Sequence, residues 1–157
     1  MAKESKKNGH TVLTGEDVGF DIKVTWLGIN RMFAPLAAEK ELTTTTGFVL
    51  LNISSEHGAP ATKIAPLLGM EPRSLTRLLK KLEEDKLIQR IPDPEDGRSV
   101  VIKLTEKGKQ MKKVARKNVD AFNEEIKRSI PTSKLRTFFD VLHHIHSITE
   151  KNRLSVK

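Results

Sequence analysis

Four leucines, Leu75, Leu78, Leu79 and Leu82, recur at helical spacing in the middle of the chain, and every polar residue between them is cationic or hydroxylated. Such a stripe buries one side of a helix from about Pro72 to Asp85 and turns Arg73, Ser74, Thr76, Arg77, Lys80 and Lys81 outward. Pro72 suits the first turn, where its missing N–H costs nothing. A helix built this way needs a hydrophobic partner on one side and accepts a polyanion on the other. The sequence on either side supplies the first requirement.

Upstream, Thr62 to Leu68 carries Ile64, Ala65, Leu67 and Leu68, and Gly69 then permits the left-handed conformation of a tight inter-helix turn. Downstream, Leu87 to Ile91 and Val100 to Leu104 are β-prone runs flanking the turn-rich tip Pro92-Asp93-Pro94-Glu95-Asp96-Gly97-Arg98-Ser99. Helix, turn, helix, strand, tip and strand in that order predict a winged helix-turn-helix, a design for reading duplex DNA. Arg73, Ser74 and Arg77 are placed to reach base edges from the helix's N-terminal half, and Thr76 and Lys80 to bond phosphate. Arg98 at the tip suits the electronegative minor groove, with Asp96 holding its guanidinium in a paired geometry. The alternatives are an amphipathic helix with a merely solvated basic face and a solvated Asp96–Arg98 hairpin pair.

The stretch KIAPLLGMEPRSLTRLLKKLEEDKLIQR, the wing DPEDGRS and the following LTEKG resemble the DNA-binding lobe of the MarR family of bacterial transcription regulators. The combination of Asp96-x-Arg98 with Leu104-Thr105-Glu106-Lys107-Gly108 is the specific part, and the likeness extends from about Val18 to Ile148. It implies that Ser74, Thr76 and Arg77 face the major groove and that Arg98 enters the minor groove. Two positions depart from the family pattern. Lys86 stands where many members carry glycine, which predicts a strained or differently built helix end. Gly97 replaces a common arginine, which predicts weaker wing contacts.

A length of 157 residues suffices for one domain with a real core, and a formal net charge of +8 favours a polyanionic partner, nucleic acid before membrane. No cysteine is present, so disulfides, thiolate catalysis and thiol redox sensing are excluded. The N-terminus lacks an apolar segment, and the longest apolar run, Phe48 to Leu51, is far too short to cross a bilayer; a cytoplasmic protein without a membrane partner is expected. There is no nucleophile–base grouping, phosphate loop or dinucleotide glycine fingerprint, so neither an enzyme nor a cofactor is expected.

Residues 1–13 read as a disordered basic tail. Thr14 is expected to cap a helix with Asp17 completing the box, followed by the apolar series Val18, Ile22, Trp26, Ile29, Phe33 and Leu36, with Pro35 near its end. Thr43 or Thr44 caps a second helix carrying Phe48, Leu50, Leu51 and Ile53, and His57-Gly58-Ala59-Pro60 closes it. After the wing, Thr105 caps a long helix to about Ser129 whose first half is basic. Pro131 interrupts, and Thr132 or Ser133 caps a last helix with Leu135, Phe138, Phe139, Leu142, Ile145 and Ile148.

These terminal helices are more apolar than a lobe of this size needs, so a homodimer is expected, its paired recognition helices about 34–36 Å apart on a pseudo-palindromic operator. The resulting fold is mainly α: a winged helix-turn-helix lobe (43–105) with a small β-hairpin wing, plus N- and C-terminal dimerisation helices (14–42 and 106–151), within a single MarR-type domain (14–157). The resemblance further implies a repressor relieved by a small amphipathic or aromatic effector. Trp26, Ile29, Phe33 and Phe48 are the candidate ligand residues, although core packing explains their spacing equally. His143 and His146 share a helix face beside His144, but two imidazoles without a third ligand do not make a zinc site. The competing functions are a winged-helix protein-interaction module and a non-specific architectural DNA binder.

Overall fold

The first described helix, α1 (Val18–Ala38), is capped by Asp17, whose carboxylate accepts the Phe20 N–H at 2.8 Å. The expected cap, Thr14, lies outside the described residues of this computed structural model, which are 17–40, 42–93 and 99–155. Asp17 takes the capping role itself because a carboxylate directly before the apolar run both accepts the orphan N–H and complements the helix dipole. Pro35 sits inside α1 rather than ending it, and the helix continues to Ala38. Next comes α2 (Thr44–Leu51), where Thr43 is the cap, accepting the Thr46 N–H at 3.1 Å. The buried Thr46 hydroxyl pairs with that of Thr43 at 2.9 Å. Ile53 is fully buried but lies beyond the end of α2.

The sequence reading missed a strand. Ala59–Pro60 forms β1, antiparallel to β3 (Val100–Leu104), which also pairs with β2 (Ile88–Pro92) in the order β1-β3-β2. Two residues are too few for any periodicity, and Pro60 suits the sheet edge it occupies. Gly58, at φ 79°, permits the approach: a Cβ there would stand 2.6 Å from the Ile102 carbonyl oxygen.

Between the first two strands lie α3 (Ala61–Leu67) and α4 (Pro72–Glu84). The α4 stripe packs as its spacing predicts, with Leu75, Leu79 and Leu82 buried and Leu78 partly so. They meet Leu50, Ile53, Ile64, Leu87, Ile88 and Ile102 in one apolar cluster. The core therefore lies beneath α4 and fixes which face it turns outward.

Both helices of the motif end in the same hydrogen-bond pattern. After α3, Met70 N–H bonds the Ala65 carbonyl and Gly69 N–H bonds that of Pro66, with Gly69 at φ 60°. After α4, Leu87 N–H bonds the Leu82 carbonyl and Lys86 N–H bonds that of Glu83, with Lys86 at φ 57°. The second turn thus uses a side-chain-bearing residue where the first uses glycine, and its left-handed backbone is strained. Lys86→Gly is expected to raise stability by about 1 kcal/mol, read as a higher midpoint in urea at unchanged slope.

The chain divides into two compact units, one up to Ala115 and one from Arg116. The first holds the elements above together with the start of α5 (Glu106–Ser129); there the half-buried Lys112 ammonium donates to the Ile53 carbonyl. The second holds the rest of α5 and α6 (Thr132–Ser155). In α6, Phe138, Phe139, Val141 and Ile148 are exposed, and the Phe138 and Phe139 rings lie tilted at 58° to each other with centroids 5.6 Å apart. In α1, Val18, Ile22, Val24, Trp26 and Leu27 are likewise exposed.

Candidate nucleic-acid interface

At about 100° per residue, Arg73, Arg77 and Lys80 fall within a narrow arc of α4 directly opposite Leu82. All three are exposed, as are Ser74 and Thr76, whereas Leu82 keeps only 1% of its surface. The five helix residues singled out from the sequence are therefore brought together on one solvent-facing surface. Among the described residues neither Arg73 nor Arg77 forms an ion pair, so neither guanidinium must break one to meet an acceptor. The start of α4 has no side-chain cap: Glu71 occupies the cap position without bonding an N–H, and Pro72 brings none of its own. The first-turn N–H groups that remain complement an anion.

Two side chains are less free. The Thr76 hydroxyl donates to the Pro72 carbonyl at 2.9 Å, so it must rotate before it can donate to phosphate. Lys80 lies 3.9 Å from Glu84, an exposed pair worth little in water.

The wing is placed by β2 and β3, in register from Ile88 opposite Leu104 to Pro92 opposite Val100. Asp93 N–H bonds the Ser99 carbonyl at 3.0 Å where the hairpin leaves the sheet. Asp96 and Arg98 lie outside the described residues.

Sequence reasoning missed the ties that hold α4 against its surroundings. Arg90 on β2 pairs with Glu83 on α4 at 3.2 Å. Thr105, at the head of α5, accepts the Gly108 N–H at 3.0 Å, as a cap should. Its hydroxyl also contacts the carbonyls of Lys86 and Leu87, at 2.7 and 3.2 Å, and its own N–H bonds the Leu87 carbonyl. Gly108 packs so closely that a Cβ would stand 1.9 Å from that same Leu87 oxygen. The signal for this junction was the LTEKG run, whose meaning is geometric rather than catalytic. In the first turn of α5, Lys109 bonds the Glu106 carboxylate at 2.6 Å and holds its pKa below the ordinary glutamate value.

Of the residues considered for a small ligand, Trp26 and Phe48 pack ring to ring with centroids 5.5 Å apart, Phe33 is buried and Ile29 half-buried. An open cleft of about 480 Å³ lies on a different side of α1, between Leu27, Asn30, Arg31 and Ala34 and the threonines that begin α2. Among the described residues no three His, Asp or Glu side chains are grouped to hold a metal, and no helix is long and apolar enough to cross a membrane.

The family model described as the MarR family matches residues 42–100. The transcriptional regulator SarZ of Staphylococcus aureus is 30% identical over 125 residues, covering 79% of this chain and 80% of that protein. The crystal structure of the transcriptional regulator SlyA shares the fold, with a TM-score of 0.78 over 90% of this chain and 99% of that one at 22% identity. The transcriptional repressor CouR of Rhodococcus jostii, bound to a 23-mer DNA duplex, matches with a TM-score of 0.71 at 26% identity, covering 83% and 93% of the two chains. On the grounds of its sequence likeness over four-fifths of a known regulator, and of a core that turns a basic helix to solvent, the chain is a member of the MarR family of winged helix-turn-helix DNA-binding transcription regulators.

Proposed function

We propose that the protein is a repressor that reads a pseudo-palindromic operator as a homodimer and is released by a small amphipathic ligand. The observation that carries operator reading is the surface of α4, where Arg73, Ser74 and Arg77 share the exposed N-terminal half of a helix whose opposite side is locked into the core. Such a helix fits the major groove, and bidentate arginine contacts distinguish guanine. Arg98 of the wing is assigned the adjacent minor groove, with Asp96 orienting it. The homodimer is supported by the exposed apolar residues of α1 and, in the other unit, by those of α6, each of which a second copy could cover. Ligand release is supported by the cleft beside α1, which combines apolar walls from Leu27, Ala34 and Leu42 with the cation of Arg31, and by the likeness to CouR, which has also been solved with p-coumaroyl-CoA.

The operator reading is tested by selecting bound duplexes from a random pool, then comparing the selected duplex with a shuffled one across a salt series. A specific regulator binds the selected duplex about 10³–10⁷-fold more tightly; near-equal binding would mark an architectural binder, and no binding an interaction module. Arg77→Ala is expected to cost about 1–3 kcal/mol on the selected duplex and much less on the shuffled one. An equal loss on both would make Arg77 a phosphate contact.

A further inference from the structure

The carbonyls that close α4 are satisfied in an unusual way. Those of Leu82 and Glu83 accept N–H groups of the turn itself, from Leu87 and Lys86. Beyond Glu84, the carbonyls of Asp85, Lys86 and Leu87 are instead met by the head of α5: Lys107 Nζ donates to the Asp85 oxygen at 3.1 Å, and Thr105 bonds the other two. The Lys107 contact spans 22 residues of sequence, and it brings a cation to the negative end of the helix dipole. Lys81 adds a second there through its 3.2 Å pair with the Asp85 carboxylate.

This end of α4 is the far end of a lever. From Asp85 to Arg73 is about 18 Å at a rise of roughly 1.5 Å per residue, so a tilt of about 5° at Asp85 moves Arg73 by roughly 1.5 Å. A bidentate hydrogen bond to a base edge does not survive such a shift, whereas an attraction to phosphate hardly notices it.

We propose that Lys107 is a positioning residue for operator recognition: through the Asp85 carbonyl it fixes the pitch of α4 against α5, and so sets sequence discrimination rather than general affinity for DNA. Lys107 lies outside the DNA-facing set on α4, and the inference rests on α4 being the helix that reads the operator. Any element that displaces the head of α5 then displaces the recognition helix with it.

The test uses the full chain, a duplex selected by the wild type and a shuffled duplex of equal length. Wild-type preference for the selected duplex establishes the parent reading first; without it, operator reading itself fails, and the fate of Lys107 is then decided by amide exchange at Lys86 and Leu87. Lys107→Met is expected to lower the ratio of selected to shuffled binding by roughly fivefold, leave the salt slope unchanged and speed exchange at those two amides. Lys107→Arg should restore the ratio, since its guanidinium reaches the same carbonyl. Where the Met variant fails to fold, Lys107→Gln carries the comparison, its shorter neutral side chain stopping short of Asp85. An equal loss on both duplexes with the salt slope lower by about one would make Lys107 a phosphate contact and overturn the proposal. An unchanged ratio, or unchanged exchange in the absence of operator reading, would overturn it too.

Discussion

Gly108→Ala is expected to destabilise the protein by about 3 kcal/mol or more, a fall of roughly 6–12 °C in Tm for a chain of this length. The added methyl would stand 1.9 Å from the Leu87 carbonyl oxygen and 3.0 Å from its carbon, and both belong to backbone. That oxygen also accepts the Thr105 N–H, so it cannot retreat without opening the junction between α4 and α5. Gly69→Ala is the matching control. Its φ of 60° strains any side chain, yet nothing lies within 4 Å of the new Cβ, so about 1 kcal/mol is expected. If the two variants prove equally stable by urea denaturation, the close approach of α5 to Leu87 is not the constraint described.

Phe139→Glu is expected to leave each subunit folded while dividing the proposed homodimer. Phe139 is 54% exposed in the single chain, so the carboxylate meets water there, but in a subunit interface it would be a buried, unpaired charge. Sedimentation should then report the 17.7 kDa monomer at micromolar concentration. Operator affinity should fall by about 10²-fold or more, because linkage of two half-site contacts is lost. A dimer that persists with full affinity would place the interface away from this face of α6.

The lobe was largely legible from the sequence because its signals are local and redundant. Four leucines at helical spacing, a glycine that breaks the helix before them and two β-prone runs around a turn-rich tip each point to one arrangement. The structure adopts it, with α4 starting at Pro72 and Gly69 in the left-handed region. The exposed set Arg73, Ser74, Thr76, Arg77 and Lys80 followed from the same stripe, since burying the leucines leaves those residues no other side. What escaped was non-local or very short. Strand β1 has two residues and exists only because Gly58 lets the chain approach Ile102. The Arg90–Glu83 pair and the Lys107 contact join elements that sequence spacing alone does not bring together. Lys86 was recognised as a departure at the right place, but only the backbone shows that the turn keeps its left-handed form and accepts the strain.

The central claim is that α4 lies in the major groove on each half of a two-fold site. Methylation interference on the selected duplex tests it most directly, because guanine N7 is exposed only in that groove. The account predicts two clusters of interfering guanines whose centres lie about one helical turn apart, with the contacts at the Arg77 positions lost in Arg77→Ala. Interference confined to minor-groove adenine positions, or a pattern that Arg77→Ala leaves untouched, would contradict it.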